Sequence, residues 1–506
     1  MNHLSPSSTP SATFSIMALT LALHLCGAAP DPRHREQLMR QEASMQTGGS
    51  VVLNAAEQKL DAYLHKLKVQ EMALDPFPPS VHFFKARPYI EKSPIFQLIK
   101  KMPKGAALHL HGRALVSAEW LVKNATYRPD CYICFTGNSV RFLFSTWTPY
   151  PTYNCWHWQL LKTLRANMAD PVKFDHSLIQ NLTLLTDDPE SAYPTQDAAW
   201  ARFEDAFRVL SGLVSYAPVF RDYLYQALEE LYTDNVMYVE IRSSIPRLYE
   251  ADGSIHERVW SAKLYQDVIA KFSSKHPDFL GLRVILSTHR IQCLYSMKLA
   301  VKSAIEMQKN FPELIAGFDL VGREDDGNPL WYFKEALSLP AQFGVHLPYY
   351  FHAGETDREG TEVDGNLLDA LLFNTSRIGH GYALPHHPLA KELARKKDVA
   401  VEVCPISNQV LKLLSDMRNH PAAVLMTEGH PLVISSDDPC LFGNTGLSYD
   451  FYEAFVGIGG LSANLGTLKE LAMNSIKYSS LSPSLKKTLH DMWQKKWDTF
   501  ISDHYH

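Results

Sequence analysis

Two hydrophobic periodicities divide this chain. From residue 31 to about 101 the apolar positions recur at helical spacing, over Arg35–Ala43 and again over Asn54–Met72, until Asp75-Pro-Phe-Pro-Pro79 breaks the pattern. From Ala106 onward short apolar, β-branched runs recur instead: Ala106–His111, Val236–Arg242, Leu282–His289, Ile315–Val321, Pro348–His352, Arg377–His380, Ala400–Pro405 and Leu432–Ser436. Helical stretches such as Arg221–Tyr232, Leu330–Leu337 and Leu367–Leu372 lie between most of them. Strands alternating with helices predict parallel βα units, and eight of them predict an α/β fold closed as a (β/α)8 TIM-type barrel. The barrel is assigned to residues 102–120 and 186–506, after an N-terminal helical extension over 30–101. The interval 121–185 fits no single βα unit and reads as a module inserted between the first strand and its successor.

Upstream of the extension, Phe14–Cys26 is apolar, followed by Gly27, Ala28 and Ala29 and then a charged stretch from Asp31 to Arg40. That order predicts a secretory signal peptide over residues 1–29, although no Lys or Arg precedes Phe14; the competing reading is a buried helix of the same length. The sequons at Asn124, Asn181 and Asn374 agree with a secreted, extracellular glycoprotein. No apolar run reaches about 20 residues, which excludes an integral membrane protein. With 49 Lys plus Arg against 54 Asp plus Glu, the chain lacks the cationic surplus that a nucleic-acid partner requires. Lys486-Lys487 and Lys495-Lys496 suggest a proteoglycan-binding patch or, more simply, a solvated helical face. Cys131, Cys134 and Cys155 cluster in the inserted segment. Cys131-x-x-Cys134 has no second half of a zinc knuckle nearby, so one of the two is expected to be oxidised with Cys155. Cys293, Cys404 and Cys440 are expected to be buried thiols.

In a barrel enzyme the reacting groups project from the C-terminal ends of different strands. The first strand ends in His109-Leu-His111, and strand alternation puts both imidazoles on one face. The fifth ends in His352-Ala-Gly-Glu355, adding a third imidazole and a carboxylate placed for general acid/base work. His380, between two glycines, ends the sixth. Asp437-Asp438 follows the eighth, and two adjacent carboxylates are costly to bury without a cation or donors. Three histidines and one aspartate predict a site for one Zn2+ per chain, with room for a water.

The segments MPKGAALHLH (102–111), AGFDLVGRED (316–325), FHAGETD (351–357), RIGHGYAL (377–384), EVCPISNQVLKL (402–413) and HPLVISSDDP (430–439) resemble the adenosine deaminase family, and within it the secreted adenosine deaminase 2 (growth factor) branch. The likeness extends over nearly all of residues 31–503. It implies hydrolytic deamination of adenosine and 2′-deoxyadenosine, with zinc held by His109, His111, His352 and Asp437. Glu355 would protonate purine N1, His380 would orient the attacking hydroxide, Asp438 would bond N7 and the backbone at Gly322 would meet N3. Trp200, Glu204 and His289 match the ribose and pocket wall. It further implies a homodimer formed through 30–101, a receptor-binding role for 121–185, and a disulfide joining Cys131 to Cys155.

One position departs from the family pattern. Where the family has an aspartate for the ribose 5′-hydroxyl just after the second histidine, this chain has Gly112-Arg113. Loss of that acceptor is expected to weaken nucleoside binding by roughly 1–3 kcal/mol and to alter sugar preference. Two other functions compete. A binuclear amidohydrolase is disfavoured because strand four, Gly-Phe-Asp-Leu-Val-Gly, lacks the lysine such sites use. A non-enzymatic growth-factor-like protein is disfavoured by the complete set of metal and acid/base residues.

Overall fold

The computed structural model describes residues 31–137 and 139–505, so the signal-peptide assignment lies outside the described residues. The chain divides after Met45 into two compact units. In the first, helix α1 (Pro32–Met45) is exposed along its length and carries an Arg40–Glu36 ion pair of 2.6 Å one turn apart.

The second unit begins with α2 (Ala55–Met72). Asn54 caps it by accepting from the N–H groups of Ala56 and Glu57, while the Glu57 carboxylate accepts from the Asn54 N–H. Leu60, Leu64 and Lys68 form its buried stripe. Glu57 also accepts from the Trp497 indole (2.7 Å) and the Lys469 ammonium (2.6 Å), which fastens α2 to the C-terminal helices Leu465–Lys477 and Pro483–His504.

Eight parallel strands follow: β1 (Gly105–His111), β2 (Val236–Ser243), β3 (Leu282–His289), β4 (Ile315–Val321), β5 (His352–Ala353), β6 (Arg377–His380), β7 (Ala400–Val403) and β8 (Leu432–Ile434). The first four pair in sequence order, as do the last four. Two seams close the ring. At one, Phe318 N–H donates to Pro348 O (2.9 Å) and Tyr350 N–H to Phe318 O (3.1 Å). At the other, His111 N–H donates to Asp437 O (3.0 Å) and Asp437 N–H to His109 O (3.2 Å). The second seam is itself built from site residues. β5 is shorter than the expected Pro348–His352, because Pro348 has no N–H and the preceding segment touches β4 only through the isolated bonds just described. β7 stops at Val403 because Pro405 opens a helix, Pro405–Val410.

Between β1 and β2 lies a small antiparallel sheet of Cys131–Thr136, Ser139–Phe144 and Gln159–Leu160, with helices Leu161–Ala166 and Pro171–Leu182 and then α3 (Gln196–Val214). The disulfide here joins Cys134 to Cys155, not Cys131 to Cys155. Strand parity explains the correction: residues three apart on a strand face opposite sides, and Cys131 faces the hydrophobic core, fully buried, where burial pushes its thiol pKa up. Cys404 and Cys440 are buried thiols as expected, whereas Cys293 is exposed because it immediately precedes the surface helix Leu294–Asn310.

Peptide mapping without reductant is expected to recover a Cys134–Cys155 cross-linked peptide and an alkylatable Cys131 after unfolding. Breaking the link with Cys134→Ala should destabilise the inserted sheet by about 3 kcal/mol, the loop-closure value for a separation of 21 residues. A Cys131–Cys155 peptide would contradict this pairing.

Candidate metal-centred active site

The C-terminal strand ends converge on a cavity of about 370 Å3. His111, His352, Glu355, His380, Asp437 and Asp438 line its floor, and His109 lies fully buried behind them. Trp200, Glu204, His289 and Gly322 line the same cavity, so the residues expected at the site from sequence are brought together. Asn124, Asn181, Asn374 and the cysteine pair lie outside it.

A buried ionic frame sets the imidazole orientations. His109 Nδ1 lies 2.6 Å from Glu402 Oε2, and His352 Nδ1 lies 2.7 Å from Asp319 Oδ2. Arg242 joins both carboxylates, at 2.5 Å from Glu402 and 3.2 Å from Asp319, while Arg377 bridges Glu402 and Glu240. Burial alone would raise both carboxyl pKa values. Arg242 and Arg377 instead hold Glu402 well below the usual range, and His352 with Arg242 does the same for Asp319. Ionised carboxylates take the Nδ1 protons, leaving the Nε2 lone pairs of His109 and His352 facing one another 3.1 Å apart. Without a cation that contact is repulsive. His111 Nε2 and His109 Nε2 lie 3.0 and 3.3 Å from Asp437 Oδ1, a buried oxygen with no aligned hydrogen-bond donor. Ser407 donates to its other oxygen (2.7 Å). Inward lone pairs beside an orphaned carboxylate oxygen fit a divalent cation.

His380 also lies in this cluster, within 4.8 Å of His109, His352 and Asp437, but its tautomer separates it from them. The Ala422 N–H donates to His420 Nδ1 (3.0 Å), so His420 carries its proton on Nε2 and donates to Asn408 Oδ1 (3.0 Å). Asn408 then presents its NH2 to His380 Nδ1 (3.2 Å). The His380 proton is thereby placed on Nε2, which faces Glu355 at 3.6 Å and Asp437 at 3.8 Å. Nε2 is a donor here, not a ligand. Its backbone and that of Asp437 sit at φ of 60° and 59°, conformations that cost non-glycine residues about 1–3 kcal/mol and cluster at functional sites.

The three carboxyls of the floor differ in charge. Burial, followed by Asp437 and Glu324, holds Glu355 well above the ordinary range; burial, Asp437 and Glu355 do the same to Asp438, whose oxygens accept no hydrogen bond among the described residues. Asp437 is held well below the ordinary carboxylate range in spite of its burial, surrounded by the His109, His111 and His380 imidazoles. Glu324 fixes the approach to Glu355 by accepting from the N–H groups of Gly354 (3.0 Å) and Glu355 (2.7 Å). On the wall, Gly322 sits at φ of 92° with its α-carbon against the His289 ring; a Cβ would lie 2.3 Å from Nε2, so only glycine fits. His289 Nε2 lies 3.4 Å from Glu204.

Arg242, Asp319, Glu402, Asn408, His420 and the α3 residues Phe203, Phe207 and Ser211 also belong to the site and do not stand out from local sequence motifs. A charge within a fully apolar strand (VMYVEIRS, IAGFDLV, AVEV) marks the ionic frame, and i, i+3/i+4 spacing from Trp200 marks the α3 wall.

The adenosine deaminase family profile matches residues 180–496, and an adenosine/AMP deaminase N-terminal profile matches residues 30–99. The chain is 57% identical over 488 residues to adenosine deaminase 2-A of Danio rerio, covering 96% of this chain and 97% of that one. It is 50% identical over 503 residues to adenosine deaminase 2 of Homo sapiens, covering 98% of each. Among solved structures it is similar to Arabidopsis ADAL complexed with IMP (TM-score 0.55, 19% identity, covering 79% of this chain and 99% of that one). A Burkholderia ambifaria amidohydrolase with bound Zn gives a TM-score of 0.52 at 19% identity, covering 81% and 94%. These two structural likenesses establish the shared fold. With the family profile spanning more than half of its length and full-length relatives at 50% identity or above, the chain belongs to the adenosine deaminase family.

Proposed function

We propose that this protein is a secreted, zinc-dependent hydrolase converting adenosine and 2′-deoxyadenosine to the inosine counterparts and ammonia. The observation that carries the reading is the pair of inward Nε2 lone pairs beside the orphaned Asp437 oxygen, with a protonated Glu355 within reach. His109, His111, His352 and Asp437 would hold the zinc. When bound, the ion supplies the positive charge that makes hydroxide available near neutral pH.

The protein's own groups do the rest. Glu355, kept protonated, donates to purine N1, which draws electron density from C6 and readies it for attack. The resulting carboxylate then takes the proton of the hydroxyl added at C6 and passes it to the amino group, so that the C6–N bond breaks with ammonia leaving and the C6 carbonyl forming. His380 Nε2–H points into the space between Glu355 and Asp437 and holds the attacking oxygen there. Purine N7 is an acceptor, so it calls for a donor, and the raised pKa of Asp438 supplies one. Gly322 brings backbone to N3, while Trp200, Glu204 and His289 bound the ribose. The hydrogen bond from His289 keeps Glu204 ionised and accepting.

The disulfide and the exposed Asn124 and Asn374 support passage through an oxidising, glycosylating compartment. Tyr150, Tyr153 and Trp156, 83%, 89% and 72% exposed on the inserted module, support a receptor-binding role for 121–185. Dimerisation through 30–101 belongs to the same reading. No helix among the described residues is long and apolar enough to cross a membrane.

Glu355→Gln is expected to lower kcat by about 10²–10⁴-fold while zinc per chain, read by mass spectrometry, is unchanged; an unaltered kcat would refute the acid role. Because the acid form of Glu355 is the active one and its pKa is raised, kcat/KM should hold below that pKa and fall as pH rises through it. A rate that climbs steadily into the alkaline range would contradict the assignment. Asn408→Asp gives both His380 Nδ1 and His420 an acceptor and so moves the His380 proton off Nε2. It should cost about 10²-fold in kcat with little change in KM; equal loss in both parameters, or none, would count against the relay.

A further inference from the structure

The wall of the cavity beyond His111 carries a cation with no anion. A turn closed by the Ala114 N–H on His111 O (2.9 Å) places Arg113 at the cavity, largely buried. Its one hydrogen bond runs from Nη1 to Ser211 Oγ on α3 (3.0 Å), and among the described residues no carboxylate stands within salt-bridge range of it. The other arginines of this wall are matched: Arg242 with Asp319 and Glu402, and Arg208 with Asp205 at 3.5 Å. Nor can position 112 supply the missing charge without displacement, since a Cβ on Gly112 would lie 3.2 Å from Ser243 Cβ and 3.3 Å from Arg242 O. A guanidinium has five N–H donors in a planar fork suited to phosphate, and Arg113 uses one of them. The hydroxyl residues Ser211, Ser243 and Ser244 line the same cavity.

We propose that Arg113 is a specificity residue that receives a phosphate on the sugar of an adenine nucleotide, so that the site takes a nucleoside monophosphate such as AMP in preference to the bare nucleoside. This rests on the deaminase reading for the position of the purine, and the test separates the two. Binding of inosine 5′-monophosphate and inosine to the zinc-loaded protein is measured by calorimetry, alongside turnover of AMP and adenosine. The nucleotide is expected to bind roughly 10- to 100-fold more tightly, the range of one charge-assisted hydrogen bond, and to lose affinity as salt rises. Arg113→Met should erase that ratio, and Arg113→Lys should keep part of it. If Arg113→Met fails to fold, the wild-type ratio and the lysine variant decide. Equal binding of nucleotide and nucleoside by the wild-type protein, or a ratio indifferent to Arg113, overturns the proposal even when adenosine is deaminated. Arg113-dependent nucleotide binding without any deamination upholds it and overturns the deaminase reading instead.

Discussion

The buried guanidinium of Arg242 is the constraint on which the rest of the site depends. It lies inside the barrel, fully removed from water, and bonds the two carboxylates that take the Nδ1 protons of His109 and His352. Three formal charges in so small a volume would be prohibitive if any were unmatched. Together with Arg377 and Glu240 they form a closed network, and its consequence is directional: two imidazoles on strands far apart in sequence are held in one tautomer with their lone pairs turned inward. The cation site is therefore a product of the barrel interior as much as of its rim.

The same principle governs the protons. Glu355, Asp437 and Asp438 crowd one floor, and mutual repulsion in a buried setting forbids all three from ionising at once. Asp437 keeps the charge, with the Ser407 hydroxyl donating to it and the His380 Nε2–H facing it. The other two remain acids, and in the proposed reaction these are the groups that give protons to ring nitrogens. A third proton is positioned by a chain of hydrogen bonds beginning at the Ala422 amide and passing through His420 and Asn408 to His380. A backbone donor at its origin fixes the sense of every link.

Much of this is legible in the amino-acid sequence. All eight strand positions could be read from apolar runs, because parallel strands buried on both faces have no polar phase to confuse the pattern. The histidines and aspartates at the strand ends could be read from where those runs stop. What escaped is the set of residues whose importance lies in partnership across the barrel: Arg242 and Glu402 are 160 positions apart, and no local spacing joins them. The choice of Cys134 over Cys131 depended on which face of a short strand meets the core, and that is decided by tertiary packing. Gly112-Arg113, in contrast, stood out in sequence as a departure, and the structure gives it a physical meaning as an unmatched cation in a crowded turn.

The central claim is that four side chains from β1, β5 and the end of β8 hold one divalent cation. Anomalous X-ray scattering across the zinc absorption edge, from crystals of the zinc-loaded protein, tests it most directly. The account predicts one strong peak per chain at about 2.0–2.2 Å from His109 Nε2, His111 Nε2, His352 Nε2 and an Asp437 oxygen, with His380 outside bonding distance. A peak elsewhere, or one ligated by His380 with His111 turned away, would contradict it.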